Sequence, residues 1–129
     1  MNISKDRVLI VDDDWASRDL FKEHLTAMGY VTVTAKDGED AIDILAQDPY
    51  FDLIITDVMM PYMTGFDFAA RLKEDVSTQK IPLIATSAFY DWEKIKNSQS
   101  IIADGFVPKP IDHKVLLSEI KRVRGKESG

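Results

Sequence analysis

Four apolar stretches of this 129-residue chain each run into a residue that could do chemistry. "VLIVDDD" (8–14) ends in carboxylates, "LIITD" (53–57) in another, "IPLIATS" (81–87) in a hydroxyl, and "GFVPK" (105–109) in an ammonium. Carboxylates that converge raise one another's pKa unless a cation neutralises them. With no His or Cys beside them, hard oxygen ligands select Mg2+, or Mn2+, over zinc or copper. Asp12, Asp13 and Asp57 are therefore candidate metal-holding residues. A cation held by so few protein oxygens keeps open positions that a phosphoryl group can fill. Asp57 is then a candidate nucleophile: its carboxylate could attack phosphorus to form an acyl phosphate, with the cation and Lys109 offsetting the accumulating charge. Ser87 could donate a hydrogen bond to a phosphoryl oxygen.

Such a pocket forms only if the fold brings these stretch ends together. Residues 7–11, 30–35, 52–56, 81–86 and 105–107 read as strands. The first, third and fourth are continuously apolar at their centres, as parallel strands covered on both faces should be. "YVTVTA" (30–35) alternates and suits an edge. Between them, Ala16, Leu20, Leu25 and Met28 mark one helical face, ended by Gly29. Asp37 and Asp40 open a second helix through Ala41, Ile42 and Leu45, and Thr64 with Asp67 opens a third containing Ala69 and Leu72. A weaker pattern over 91–100 predicts a fourth helix, and Asp112 caps a last one along Leu116, Ile120 and Val123. Alternating β and α units predict an α/β fold: a flavodoxin-like, doubly wound, five-stranded parallel sheet with right-handed crossovers and five helices. Ligands bind such sheets beyond the carboxyl ends of the strands. With strand order 2-1-3-4-5, the first and third strands are neighbours and the three carboxylates share one pocket. The edge strand contributes only Lys36 and Asp37.

The length suits one domain. There are no cysteines, so disulfides and thiolate chemistry are excluded and a reducing, cytoplasmic setting is expected. No apolar run reaches the ~20 residues of a membrane span, and the start "MNISKDR" lacks a signal-peptide core. A net charge of −6 argues against direct nucleic-acid binding, which needs clustered Lys and Arg. The domain is expected to span 5–124, leaving 125–129 as a polar tail or linker stub. Asp14 reads as a helix N-cap rather than a ligand. Trp15 is expected to pack beside the acidic pocket, Met59, Met60 and Met63 to serve as adaptable packing, and His24 and His113 to be surface or boundary residues.

The motifs "VLIVDDD", "DLIITDVMMPYMTGFDF", "IPLIATSA" and "DGFVPKP" together resemble the receiver domain of two-component response regulators, chemotaxis regulators among them, from about Lys5 to Arg124. The resemblance implies that Asp12, Asp13, Asp57 and the main-chain carbonyl of Met59 hold Mg2+. It also implies that Asp57 accepts phosphate from a histidine kinase or histidine phosphotransfer protein. Ser87 would turn toward the phosphoryl group, Lys109 would pair with it, and Phe106 would be the switch aromatic. The partner-binding surface would be the one formed by the fourth helix, fifth strand and fifth helix. The Lys109–Pro110 peptide would be cis. Thr64 and Asp67 differ from the family's frequent Asp and Glu, Ile101 and Ile102 replace a small pair, and Phe106 lacks a phenol hydroxyl. Met59 and Phe89 stand where the family tunes phosphoryl lifetime, and their apolar side chains predict slow self-dephosphorylation.

Two other readings compete. A haloacid-dehalogenase-like phosphohydrolase would also use an aspartyl phosphate, but Ala16 stands where such enzymes have Thr or Val, and no second acidic metal motif follows. A degenerate, binding-only receiver conflicts with the complete acidic and lysine set. The kinase, the pathway, the downstream protein and any dimerisation on phosphorylation are not legible in the sequence.

Overall fold

The computed structural model describes residues 6–88 and 103–128. Five strands, β1 (Arg7–Val11), β2 (Val31–Ala35), β3 (Leu53–Asp57), β4 (Leu83–Ala88) and β5 (Gly105–Lys109), form one sheet of order β2-β1-β3-β4-β5. All four pairings are parallel. The order and direction are those expected, while strand ends shift by one or two residues, so Asp57, Ser87 and Lys109 lie within strand ends rather than after them.

Four helices stand among the described residues, where the sequence predicts five: α1 (Trp15–Ala27), α2 (Gly38–Gln47), α3 (Gly65–Glu74) and α4 (His113–Ser128). The predicted helix over 91–100, with Trp92, and the readings of Phe89, Ile101 and Ile102 lie outside the described residues. The last helix, here α4, continues past Arg124 to Ser128, through residues expected to form a tail.

Because successive strand residues face opposite sides, the sheet has two cores. Leu9, Val11, Ile54 and Leu83 meet Ala41 and Leu45 of α2 and Phe68 and Leu72 of α3. Val8, Ile10, Ile55, Ile84 and Val107 meet Phe21 and Leu25 of α1 and Leu116, Ile120 and Val123 of α4. The expected α1 face is corrected at one end. Leu25 is buried and Met28 packs against the same core, but Phe21 is the other anchor, and Ala16 and Leu20 are exposed. The helix meets the sheet only from its second turn onward, and its first turn instead borders a groove with Lys109, Pro110 and Ile111.

The caps follow the sequence. The side chains of Asp14, Asp37 and Thr64 accept backbone N–H bonds from Ser17, Asp40 and Asp67, and Asp112 accepts from Lys114 and Val115. Gly29 ends α1 with φ +96°, a conformation that costs glycine little.

Tyr62, between β3 and α3, is the one non-glycine residue with positive φ (68°) among the described residues. Its side chain is 91% exposed and so gains little to offset that backbone cost. Tyr62→Asn is expected to raise unfolding stability by about 1 kcal/mol, since Asn tolerates the left-handed region. Urea denaturation checks this, and an unchanged midpoint would show that the loop relaxes without strain.

Candidate functional site

Strand register assembles the site. Val11 pairs with Thr56, so Asp12 and Asp57 follow from adjacent strands at the same level. Asp57 pairs with Thr86, and Ala88 with Lys109, which brings Ser87 and the lysine to the same sheet edge. One carboxylate oxygen from each of Asp12, Asp13 and Asp57 lies within 4.8 Å of the others. Asp12 and Asp57 are buried and Asp13 is exposed, so the cluster opens to solvent on one side. Asp14 stays outside it as the cap of α1. Its exposed carboxylate is held below its ordinary pKa mainly by the hydrogen bonds from Ser17.

The ammonium of Lys109 sits 2.7 Å from Asp12 Oδ2 and 3.6 Å from Asp57 Oδ2. Burial works against its charge, but the hydrogen bond and attraction of Asp12, then Asp57, more than compensate and raise its pKa. The opposite balance holds at Asp57. Burial pushes its carboxyl up to about 6, Lys109 and the Met59 backbone N–H pull it down, and Asp12 and Asp13 add repulsion. A carboxylate of that basicity is still ionised at neutral pH and is a stronger nucleophile than an exposed one. The Lys109–Pro110 peptide is cis, as expected.

Ser87 is buried and its Oγ has no hydrogen-bond partner among the described residues, a cost in an apolar interior that a phosphoryl oxygen could remove. Phe106 is half-buried against the cluster of Val58 and Ala85, on which Phe66 also packs, and its backbone N–H donates to Glu119 Oε2 at 2.8 Å. Met60 and Met63 are buried packing residues. Met59 is not: its side chain is exposed, while its backbone N–H reaches Asp57. The placement of Trp15 is also corrected. At the first position of α1 it is 70% exposed, beside Arg18, Lys22 and Thr34, because the neighbouring carboxylates occupy the pocket side.

Two supporting residues escape a reading by motif. Arg18 Nη1 donates to the Asp12 carbonyl at 2.8 Å, holding the acidic loop to the second turn of α1. Gly65, whose N–H donates to Val58 O at 2.8 Å, starts α3 so near β3 that a Cβ would lie 2.6 Å from the Asp57 carbonyl. A glycine just after a helix-capping Thr was the only available sign, and closeness to another strand is not a local property.

The donor set of three carboxylates without imidazole or thiolate, one open to solvent, fits a small hard cation such as Mg2+. A model of the family "Response regulator receiver domain" matches residues 8–121. The chain belongs to the response regulator receiver domain family. It is 32% identical over 121 residues to the polar-differentiation response regulator DivK of Brucella ovis, covering 92% of this chain and 95% of that protein. It is 38% identical over 116 residues to the response regulator PleD of Caulobacter vibrioides, covering 89% of this chain but 25% of PleD. The chain likewise spans 46% of the probable transcriptional regulator ycf27 of Guillardia theta, to which it is 33% identical. Among solved structures, the chemotaxis protein CheY4 of Vibrio cholerae superposes with a TM-score of 0.83 at 32% identity, covering 93% of this chain and 99% of that one. Receiver domains are phosphorylation-activated switches of two-component signalling with an acidic Mg2+-binding site. Among the described residues no helix is long and apolar enough to cross a membrane.

Proposed function

We propose that Asp57 of this receiver domain accepts a phosphoryl group from a histidine kinase or histidine phosphotransfer protein and that the change is read by a downstream protein. The observation that carries this is the convergence on Asp57 of the Lys109 ammonium at 3.6 Å and two further carboxylates, around a carboxyl whose pKa is raised to about 6. Asp12, Asp13, Asp57 and the Met59 carbonyl would hold Mg2+, which when bound supplies positive charge beside the incoming phosphoryl oxygens. The solved receiver domain of the sensor kinase PA1611 from Pseudomonas aeruginosa, similar in fold, has magnesium coordinated in its active-site cleft.

In the transfer, an Asp57 oxygen bonds to phosphorus as the bond from phosphorus to the donor nitrogen breaks, and that nitrogen keeps the electron pair. Lys109, already held by Asp12, moves its ammonium toward the new phosphoryl oxygens. Ser87 Oγ donates to one of them and so gains the partner it lacks among the described residues. The space Ser87 leaves draws the Phe106 ring inward and reshapes the surface around β5, α4 and the helix predicted over 91–100. The ligand need only shift a balance between two existing forms.

Acetyl phosphate with Mg2+ tests the reading. One phosphate per chain by intact mass, absent in Asp57→Ala, is expected. Rapid multiple turnover of phosphoesters would point to a hydrolase, and no uptake to a binding-only module.

Met59, whose side chain is exposed, and Phe89 are apolar residues at the two positions where receivers tune phosphoryl lifetime, so the acyl phosphate should be long-lived. Met59→Asn is expected to speed its decay severalfold, followed by loss of the mass adduct after donor removal. An unchanged decay would sink this idea.

A further inference from the structure

We propose a second metal site, for a borderline divalent transition ion such as Zn2+ or Ni2+, formed by His24 of α1 and His113 of α4. The two residues are 89 apart in sequence, yet their Nδ1 atoms lie 2.8 Å apart and their ring centroids 5.0 Å apart, at an interplanar angle of 37°. His113 is exposed and His24 partly so, which leaves the pair open to solvent ions.

Two imidazole nitrogens that meet at hydrogen-bond distance must share a proton, one Nδ1 donating and the other accepting. The same approach is close to that of two ligands on one ion. Metal–nitrogen bonds of about 2.0–2.1 Å at a tetrahedral angle would set the nitrogens about 3.3 Å apart and the centroids about 5.2 Å apart. The pair thus needs to open by roughly half an ångström, a small adjustment for two surface side chains. On loading, the donor histidine gives its Nδ1 proton to water and takes one up at Nε2. Both Nδ1 lone pairs then face the ion, with no net proton released. Water completes the coordination.

Ligand chemistry separates the two metal sites. The carboxylate cluster suits a hard cation, whereas imidazole suits Zn2+, Ni2+ and Cu2+ and competes poorly for Mg2+. An ion at the histidine pair would clip α1 to α4, the two helices that follow the strand ends bearing Asp12, Asp13 and Lys109.

The test is calorimetric titration of the tag-free full chain with Ni2+, and separately Zn2+, in saturating Mg2+. One equivalent is expected to bind. Affinity should fall roughly tenfold or more in His24→Gln and in His113→Gln, since each removes one of two ligands. It should persist in Asp13→Asn, which alters the acidic cluster alone. In parallel, the imidazole proton resonances of both histidines should shift on Ni2+ or Zn2+ addition in the wild-type chain. No binding by the wild-type chain, unchanged affinity in the histidine variants, or loss in Asp13→Asn would each overturn the proposal.

Discussion

Lys109→Met is expected to lower unfolding stability by about 3 kcal/mol at neutral pH without divalent cations, and at the same time to tighten Mg2+ binding. The lysine is the one positive side chain whose ammonium lies within 4 Å of Asp12 or Asp57 among the described residues, 2.7 Å from one and 3.6 Å from the other. Asp12 is 1% exposed, so loss of that partner leaves a charge that water cannot reach, and removing one partner of a buried pair costs about 3–5 kcal/mol. Methionine keeps much of the stem's packing volume, which isolates the charge from the cavity effect. The same cation repels a metal ion at the cluster, so its removal should raise Mg2+ affinity about tenfold, and Mg2+ should recover most of the lost stability. Urea denaturation with and without Mg2+ measures both. Weaker Mg2+ binding by the variant would mean that Lys109 organises the carboxylates rather than opposing the ion.

Asp57→Asn should stabilise the metal-free protein at neutral pH, although it removes the proposed acceptor. The native carboxyl titrates at about 6, above the 3.8 of an ordinary aspartate. Between those values the folded state retains a proton that the unfolded state has released, so stability falls as pH rises through that window. Above it the full penalty remains, with an upper bound of about 3 kcal/mol, because the folded and unfolded carboxyls titrate roughly two pH units apart. The variant lacks this penalty. It should exceed the wild-type chain by about 2 kcal/mol near pH 7.5, and the gap should close toward pH 4. Added Mg2+ should stabilise the wild-type chain more than the variant, because the ion relieves the repulsion that burial creates. Equal stability of the two proteins at pH 7.5 in EDTA would show that the pocket does not strain this carboxylate.

Both expectations concern residues that can be picked out before folding is considered, and the reason is local. A parallel strand buried on both faces must be apolar, so the polar residue at its end marks where the sheet meets solvent. That is why "VLIVDDD", "LIITD" and "GFVPK" locate Asp12, Asp57 and Lys109 to within a residue or two. Capping is local as well, and Asp14, Asp37, Thr64 and Asp112 each accept bonds from N–H groups two or three residues ahead. Burial of a helix face is less local. Ala16 and Leu20 have the right spacing for the core, yet α1 approaches the sheet through Phe21 and Leu25, since docking depends on where the first strand ends.

Hydrophobic period and capping act over a few residues, so the alternation of strands and helices and the residue types at the strand ends were legible in the chain alone, whereas the order of strands in the sheet rests on pairing between distant segments. Only the tertiary structure decided the electrostatics of the pocket. The pKa of Asp57 reflects burial and distances to Lys109, Asp12 and Asp13, all set by register between strands far apart in the chain. It likewise decided that Gly65 must lack a side chain, that Trp15 faces solvent, and that His24 and His113 meet at 2.8 Å. Each of these depends on a contact between segments whose separation in sequence carries no local signal.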